Sequence, residues 1–272
     1  RIDGLVERVK ELGMDAVANT DHGVLYGAIA FSQKAKKAGV KPIIGCETYI
    51  APASRFEKSS RGIDEAAFHL ILLAKDEDGY KNLIKLITIG NLEGFYYRPR
   101  IDKEVLAQNS QGLIGLTSCL QGEVPYLIQK GLYNEALKAA DDYNQILGKE
   151  NLYLELQENG IPEQKIANEG LLKISRELSL PIIATNDVHY LAKNHAYSHE
   201  ALLCIQTQTT LDDPKHMRFQ TEEFYLKDAE LMKQLFSQYP EAIQNTLKVA
   251  EKCNLELNFN EMHLPRYDPP NG

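Results

Sequence analysis

Two metal-competent side chains, Asp187 and His189, follow a short apolar run at residues 181–185 and are separated by one residue. In a strand, residues i and i+2 point to the same face, so both groups can reach one point just beyond the strand's end. Carboxylate and imidazole groups are ordinary ligands of divalent transition metals. The spacing therefore predicts part of a metal site.

The same arrangement recurs earlier in the chain. Three further apolar runs end in side chains that bind metals, in the segments Asn19-Thr-Asp-His-Gly23, Gly45-Cys-Glu47 and Thr117-Ser-Cys119. We interpret the four runs as successive strands of one sheet whose C-terminal ends converge on a metal centre, because βα barrels carry their chemistry at that end.

Three candidate ligands allow a second interpretation. His69 opens its apolar run, so either that strand runs in the opposite direction or His69 lies outside the cluster. Asp21 either binds the metal or orients an imidazole from behind, and Cys119 is either a thiolate ligand or a small buried hydrophobe. The remaining histidines lie in helical or loop contexts and are interpreted as surface or structural residues: His195, His199, His216 and His263.

The donor set mixes hard and soft ligands, which suits Zn²⁺, Mn²⁺ or Fe²⁺. Two or three such ions can activate a water and hold a phosphoryl oxygen, the arrangement used for phosphoester hydrolysis. In this interpretation Glu47 and Asp187 are the catalytic carboxylates, and one of them bridges the ions. The imidazoles of His22, His69 and His189 then cap the metal cluster.

Helical and strand patterns alternate along the chain, which favours βαβ units, a mostly parallel sheet and an α/β barrel. We predict strands at residues 16–19, 42–45, 69–74, 113–119, 152–156 and 181–190, and an extended segment at 221–226. We predict helices at 2–12, 26–38, 80–89, 125–147 with a break at Gly131, 163–178, 194–204, 227–236 and 240–253.

Two segments outside these elements stand out by composition. Residues 51–66 are polar and are interpreted as a surface loop, with a lid over the site as the alternative. Residues 93–100 interleave Tyr and Arg, so they either stack bases and grip phosphates or form a structural corner.

The composition is that of a globular protein, with 272 residues, 43% hydrophobic residues and a formal net charge of −8. This charge argues against a free-standing nucleic-acid binder, so any DNA would be held mainly by other parts of a larger protein. The four cysteines are scattered, and no secretory signal or long apolar run is present. These features predict a cytoplasmic protein with reduced thiols and no membrane association.

With these residues laid out, the chain resembles the PHP (polymerase and histidinol phosphatase) domain family, in the form found in bacterial DNA polymerase III α subunits. The motifs that carry the resemblance are Asn19-Thr-Asp-His-Gly23, Gly45-Cys-Glu-Thr-Tyr49, His69-Leu-Ile-Leu-Leu-Ala-Lys75, Glu93-Gly-Phe-Tyr-Tyr-Arg-Pro-Arg-Ile-Asp102, Asn186-Asp-Val-His-Tyr190, Leu202-Leu-Cys-Ile-Gln206, Arg218-Phe219 and Glu223-Phe-Tyr-Leu226.

The resemblance implies a distorted seven-stranded βα barrel at residues 1–262, followed by the start of a linker at 263–272. It implies up to nine ligands around three divalent ions. The positions that match ligands are His22, Glu47, His69, Cys119, Asp187 and His189. The family's opening strand, with a His-x-His motif and a following Asp, is not within this sequence. We therefore expect a barrel that is open on one side and holds fewer ions.

The resemblance also implies a function. We expect a metal-dependent 3′–5′ exonuclease site within a replicative DNA polymerase subunit, with the DNA 3′ end and other subunits of the polymerase holoenzyme as partners. One alternative is a catalytically inactive scaffold that supports the polymerase. The other is a stand-alone phosphatase of the histidinol phosphate type, which leaves the aromatic and basic segment at 95–100 unexplained.

Overall fold

The computed structural model describes residues 1–59, 67–260 and 264. The strands within this part are β1 (Ala16–His22), β2 (Lys41–Ile50), β3 (Phe68–Ala74), β4 (Arg100–Ile101), β5 (Leu113–Leu116), β6 (Leu152–Gln157) and β7 (Ile182–Thr185). The helices are α1 (Ile2–Glu11), α2 (Ala28–Lys37), α3 (Glu77–Leu92), α4 (Lys103–Gln108), α5 (Glu123–Gln129), α6 (Tyr133–Leu147), α7 (Pro162–Leu178), α8 (Ala196–Thr207), α9 (Ala229–Leu235) and α10 (Pro240–Lys252).

Three of the helices begin at an aspartate whose carboxylate accepts a hydrogen bond from a backbone N–H of the first turn. These aspartates are Asp76 before α3, Asp102 before α4 and Asp228 before α9. Each cap satisfies one backbone donor that the helix itself leaves unpaired, and such a cap stabilises a helix by about 1 kcal/mol. Local sequence therefore fixes where these helices start.

The sheet has the strand order β1-β2-β3-β5-β6-β7, with the short β4 paired to β2. The pairs β1–β2, β5–β6 and β6–β7 are parallel, whereas β3 is antiparallel to both of its neighbours. Within the described residues β1 and β7 are the two edges of the path, and the sheet curls into a half-barrel. The predicted α/β class and the mostly parallel sheet are confirmed.

The reversed direction of β3 decides between the two interpretations of His69. β2 and β3 pair with Ile50 opposite Phe68 and Tyr49 opposite His69, so β3 starts at the edge of the sheet where β2 ends. The strand therefore runs the other way, and its first residues lie near the last residues of β1 and β2. Composition alone carries no information about strand direction, since the connection between two strands sets it.

The main hydrophobic core lies between the sheet and helices on its outer side. Leu83 and Leu86 of α3, Tyr143 of α6 and Leu172 of α7 are buried in this core together with apolar residues of β3, β5, β6 and β7. Burial of each such side chain stabilises the fold by roughly 1.5–3 kcal/mol. The strands are thereby held in fixed positions from behind.

Several predicted boundaries are wrong. β7 ends at Thr185 and β5 ends at Leu116, so Asp187, His189 and Cys119 lie on loops beyond their strands. Asp187 and Ser118 have φ values of 49° and 64°, a left-handed conformation that ends strand alternation. The alternation argument for Asp187 and His189 is therefore incorrect, because no strand reaches them.

Other segments differ from their prediction or lie outside the description. Residues 221–226, which we predicted only as an extended segment, contain an isolated bridge between Tyr225 and Tyr190 and no regular strand. Both β4 and α4 are additional elements that we had not predicted. The part of the polar loop at 60–66, His263 and nearly all of the predicted linker at 263–272 lie outside the described residues. Within the described part, the helices are too short or too polar to cross a membrane.

Candidate metal centre

Three neighbouring strands place His22, Glu47 and His69 side by side. His22 pairs directly with Glu47 across the β1–β2 ladder. His69 pairs with Tyr49, two residues beyond Glu47, and residues two apart on a strand share a face. The register of the sheet therefore brings all three side chains to one surface.

The ligand atoms of these three residues lie within 4.8 Å of one another. Nδ1 of His69 is 2.6 Å from Oε1 of Glu47, and Nε2 of His22 is 3.3 Å from Oε2 of the same carboxylate. Ligand atoms on one tetrahedral zinc ion, at 2.0–2.3 Å from the metal, lie roughly 3.3–3.8 Å apart. The three groups therefore fit a shared ion after small side-chain adjustments.

Cys119 reaches the same place from the turn after β5. Its Sγ is 3.8 Å from Nδ1 of His69 and 4.0 Å from Oε1 of Glu47. The preceding residue, Ser118, donates its hydroxyl to Oε1 of Glu47 at 3.0 Å. The turn thus contributes a thiol and also orients the central carboxylate.

Asp187 and His189 approach from the loop after β7. Nδ1 of His189 is 2.9 Å from the backbone carbonyl of Asp187, and a carbonyl can only accept, so Nδ1 carries the proton and Nε2 is available as a ligand. The His189 ring packs edge-on against Phe219 and Phe224, with centroids 4.7 and 5.6 Å away. The six predicted ligands all line one cavity of about 280 Å³: His22, Glu47, His69, Cys119, Asp187 and His189.

The pKa of Glu47 is lowered to about 2. Burial by itself raises it, but the hydrogen bond from His69 and the charges of His22 and His69 outweigh burial. Glu47 is therefore ionised at neutral pH, which is the form that binds a cation. Loss of water around the ring lowers the pKa of His22, so its imidazole is mostly neutral and free to coordinate.

The pKa values of two other acidic groups in the cavity, Cys119 and Asp187, are raised. Burial, followed by the negative charges of Glu47 and Asp187, raises the pKa of the Cys119 thiol well above its ordinary value. Burial raises the pKa of Asp187 to about 6, against the opposing effect of His189. A bound cation reverses both effects, because it stabilises thiolate and carboxylate directly.

Glu155 is a further buried acid that sequence reasoning missed. It lies on β6 and accepts hydrogen bonds from the backbone N–H of Ser118, from Gln157 and from the Thr185 hydroxyl. Burial raises its pKa to about 7, and the nearby charges of Asp187 and Glu47 add to the rise. The available signal was an acidic residue inside an otherwise apolar strand, Leu152-Tyr-Leu-Glu-Leu156.

Contacts of two further residues, Asp21 and His199, add detail to predictions that left alternatives open. The two carboxylate oxygens of Asp21 accept from the side chain of Asn19 and the backbone N–H of Gly27 at 3.1 Å each, so Asp21 secures the connection to α2. The His199 ring lies 5.5 Å from the His189 ring and 4.8 Å from Phe219. His199 therefore supports the site from α8 instead of lying on a free surface.

The aromatic and basic segment divides into two parts. Arg100 is 2% exposed and donates to the backbone carbonyls of Gly94 and Glu57, which is the behaviour of a structural corner. Arg98 is only partly buried, and its guanidinium carbon lies 5.7 Å from the centre of the Tyr49 ring. The Tyr49 ring is in turn 5.2 Å from the ring of His69. Arg100 therefore stabilises the corner, and the corner positions Arg98 near the site.

The fold and this set of donors agree with the comparison to protein families. The model of the PHP domain matches residues 1–159, which is more than half of the chain. The chain therefore belongs to the PHP domain family. The matched range contains four of the six predicted ligands: His22, Glu47, His69 and Cys119.

Curated relatives extend the similarity over the whole chain. The DNA polymerase III subunit alpha of Treponema pallidum is 43% identical over 98% of the chain, and that of Thermus aquaticus is 42% identical over 100%. The chain spans 23% of the length of each of these relatives. Among solved structures, a candidate metal-dependent phosphoesterase from Bifidobacterium adolescentis aligns with 87% of the chain and 90% of its own, with a TM-score of 0.42 and 11% identity.

Proposed function

We propose that the cavity is a metal-dependent phosphoesterase site that hydrolyses the terminal phosphodiester at the 3′ end of DNA. The observation that carries the proposal is the approach of His22, Glu47 and His69 to within 4.8 Å of one another at a cavity that three further donors line. A set of imidazole, carboxylate and thiol groups at this spacing is suited to divalent metals. Protein families with such sites use them to cleave phosphoesters.

A bound metal would supply an activated water and a polarised phosphoryl oxygen. The chain's own residues prepare the site for that cation. Glu47 provides a carboxylate that stays ionised at neutral pH and is held in place by Ser118 and His69. Asp187 would be the second catalytic carboxylate, because a bound cation would keep it ionised although burial alone raises its pKa to about 6. His22, His69 and His189 would cap the ions, and Cys119 would bind as a thiolate.

The metal in this proposal is Zn²⁺, Mn²⁺ or Fe²⁺, with at most three ions and fewer where only these six ligands are present. Imidazole and thiol donors favour zinc, whereas the carboxylates also suit manganese. Glu47 is ionised at neutral pH, and Asp187 is ionised above its pKa of about 6, so these two carboxylates give the cavity a negative field that attracts cations.

The proposal extends to a longer protein, because the chain matches only one part of each of its relatives. Its relatives are named DNA polymerase III subunit alpha and are about four times longer than the matched region. We propose that the chain serves in DNA replication as the PHP domain of such a polymerase, with the rest of the polymerase holding the DNA and other holoenzyme subunits as partners. The nucleotidyl transfer itself would then reside outside this chain.

A second candidate is a non-catalytic scaffold whose metal stabilises the folded state. The observation that favours it is that, among the described residues, the close group of donors consists of His22, Glu47 and His69, whereas Asp187 and His189 stand further off. Binding to the folded state alone raises stability by mass action, whatever the metal does chemically.

Metal analysis followed by hydrolysis assays tests both candidates. The chain is purified without chelator, its metal content is measured, and single-stranded DNA labelled at its 5′ end is incubated with added Zn²⁺ or Mn²⁺. The proposal predicts at least one bound ion and shortening from the 3′ end, abolished in Glu47→Gln. Metal binding and a raised melting temperature without shortening would support the scaffold instead. Cleavage of phosphomonoesters but not of DNA would point to the phosphatase alternative.

A further inference from the structure

Two arginines beside the metal cavity have no ion pair with any residue in the described part of the chain. Arg218 lines the cavity that the six predicted ligands share. Arg98 lies against Tyr49, whose ring contacts that of His69. An arginine next to several carboxylates usually pairs with one of them, so two that do not are available for a ligand.

The backbone around Arg218 is fixed on both sides. Two residues before it, His216 bonds through Nε2 to Oε1 of Glu200 on α8 at 2.5 Å. Directly after it, the Phe219 ring packs 4.7 Å from the His189 ring and 4.5 Å from Phe224. Arg218 is therefore carried by an anchored segment, while its own side chain is exposed at the cavity.

The backbone around Arg98, which lies on the side of the cavity near His69, is also fixed by its neighbours. Arg100 holds the segment from behind through its buried guanidinium. In front, Pro99 packs on Gly23, where an added Cβ would lie 2.9 Å from Cγ of Pro99 and from Cε2 of Tyr49, so a larger residue does not fit.

The chemistry of the two positions points to a polyanion. A guanidinium matches the oxygens of a phosphate with two parallel hydrogen bonds, and it cannot lose its charge. The cavity itself is lined by the carboxylates of Glu47 and Asp187, so a phosphate that enters it needs cations such as these arginines to offset the repulsion. Arg218 lies on the side of His189, whereas Arg98 lies on the side of His69. A small phosphomonoester has a single phosphate, so a ligand with several phosphates matches the two arginines better.

Exposed aromatic rings accompany Arg98. The side chains of Phe95 and Tyr97, in the same segment, are 53% and 50% exposed. Bases of a single strand stack on such rings without sequence preference, at about 1–3 kcal/mol per base. A cation next to open aromatic rings is the arrangement by which proteins follow a single-stranded chain.

We infer that the site binds single-stranded nucleic acid through two of its phosphates, with Arg218 contacting the phosphate in the cavity and Arg98 contacting a second phosphate of the same strand. This inference rests on the proposed function, because it names the residues that hold the nucleic-acid strand at that site. Both arginines are binding residues that position the strand. Neither takes part in proton transfer.

Binding is tested apart from hydrolysis. The anisotropy of a short 5′-fluorescein oligothymidylate is measured with the whole chain in EDTA, over a range of salt concentrations. Each phosphate contact on a single strand contributes about 0.7 to the slope of log K against log salt. We expect Arg218→Gln and Arg98→Gln each to reduce this slope by about 0.7, and the double variant to reduce it by about 1.4.

Arg176→Gln is the matched control. Arg176 is exposed in the last turn of α7, about 18 Å along that helix from Gln164, which lines the cavity. The control should leave the slope unchanged, and all variants should melt at the temperature of the original chain. A slope that both variants leave unchanged, or an original chain that binds no oligonucleotide at the lowest salt, overturns the inference. Reduced slopes in a chain that cleaves nothing would keep this inference and remove the proposed hydrolysis.

Discussion

The backbone N–H of Ser118 donates a 3.0 Å hydrogen bond to the carboxylate of Glu155. Through its hydroxyl the same serine donates to Glu47, so one residue of the turn after β5 connects two buried carboxylates. Glu155 is 2% exposed and its pKa is raised to about 7, against an ordinary value of 4.5. This buried acid therefore makes folding sensitive to pH.

We predict that Glu155→Gln removes much of this sensitivity in the metal-free chain. Between about pH 4.5 and pH 7 the unfolded glutamate is ionised while the folded one keeps its proton, so the free energy of unfolding falls as pH rises through this window. The full loss is on the order of 3 kcal/mol. The variant should lose less stability than the original chain between pH 5 and pH 8, as measured by urea denaturation in EDTA.

The control for Glu155 is Glu241→Gln, an exposed acid in the first turn of α10. It should keep the pH dependence of the original chain. Because Asp187 also has a raised pKa and contributes in both proteins, the difference between variant and original chain isolates Glu155. Identical pH dependence for Glu155→Gln and the original chain would rule out this account.

Asp187→Asn is predicted to lower the metal content. An amide is a weaker ligand than a carboxylate and carries no charge to balance the cation. Elemental analysis after dialysis against Zn²⁺ or Mn²⁺ should give fewer ions per chain, with an unchanged circular dichroism spectrum because the backbone of β7 is not altered. Asp212→Asn, at an exposed position, should keep the full content. Equal metal content in the two variants would show that Asp187 is no ligand.

Phe224→Ala should damage both the fold and the site. Phe224 is 6% exposed and packs against Phe219 and the His189 ring. Truncation of a buried phenylalanine costs about 3–5 kcal/mol. The loss of support for His189 should also weaken zinc binding by at least about tenfold, as removal of an outer-shell partner does.

Phe236→Ala separates these two effects. Phe236 is 3% exposed in the main core and does not line the metal cavity. Chemical denaturation should show a comparable loss of stability for both variants, whereas calorimetric zinc titration should show weaker binding for Phe224→Ala alone. Equal zinc affinities in the two variants would contradict a supporting role for Phe224.

Arg100→Lys is predicted to destabilise the corner at residues 94–100 by about 3 kcal/mol. The buried guanidinium donates to backbone carbonyls of Gly94, Arg55 and Glu57, and a single ammonium group cannot reach all three. Arg8→Lys, at a half-exposed ion pair with Glu11, should change the free energy of unfolding by less than about 0.5 kcal/mol. Thermal unfolding of both variants provides the comparison.

Much of the fold could be predicted from sequence because its signals are local. The apolar spacing of α1, the break at Gly131 between α5 and α6, and the apolar runs of β1, β3 and β6 all depend on neighbouring residues. Strand direction and strand ends are different, since they depend on connections and on conformations such as the positive φ of Ser118 and Asp187. These features are not visible in a pattern of apolar and polar residues.

For the site, the sequence indicated which residues come together as ligands. It did not indicate which neighbouring residues hold those ligands in place. The six ligand assignments drew on residue type and resemblance, and the cavity that the six residues share agrees with them geometrically. Their assignment as ligands stays a prediction until metal is measured. Glu155 and Ser118 were not predicted, and His199 was assigned no place at the site, because their roles arise from contacts between distant segments: a strand, a turn and a helix.

The reversal of β3 makes the position of His69 depend on strand pairing and not on the connection between β2 and β3. β2 leaves the sheet at Ile50 and β3 enters it at Phe68, which pairs with Ile50 one step before His69. The ladder alone sets His69 beside Glu47. A change in the number of residues that join these two strands would therefore leave the ligands in register, because the pairing within the sheet and not the connection sets their positions.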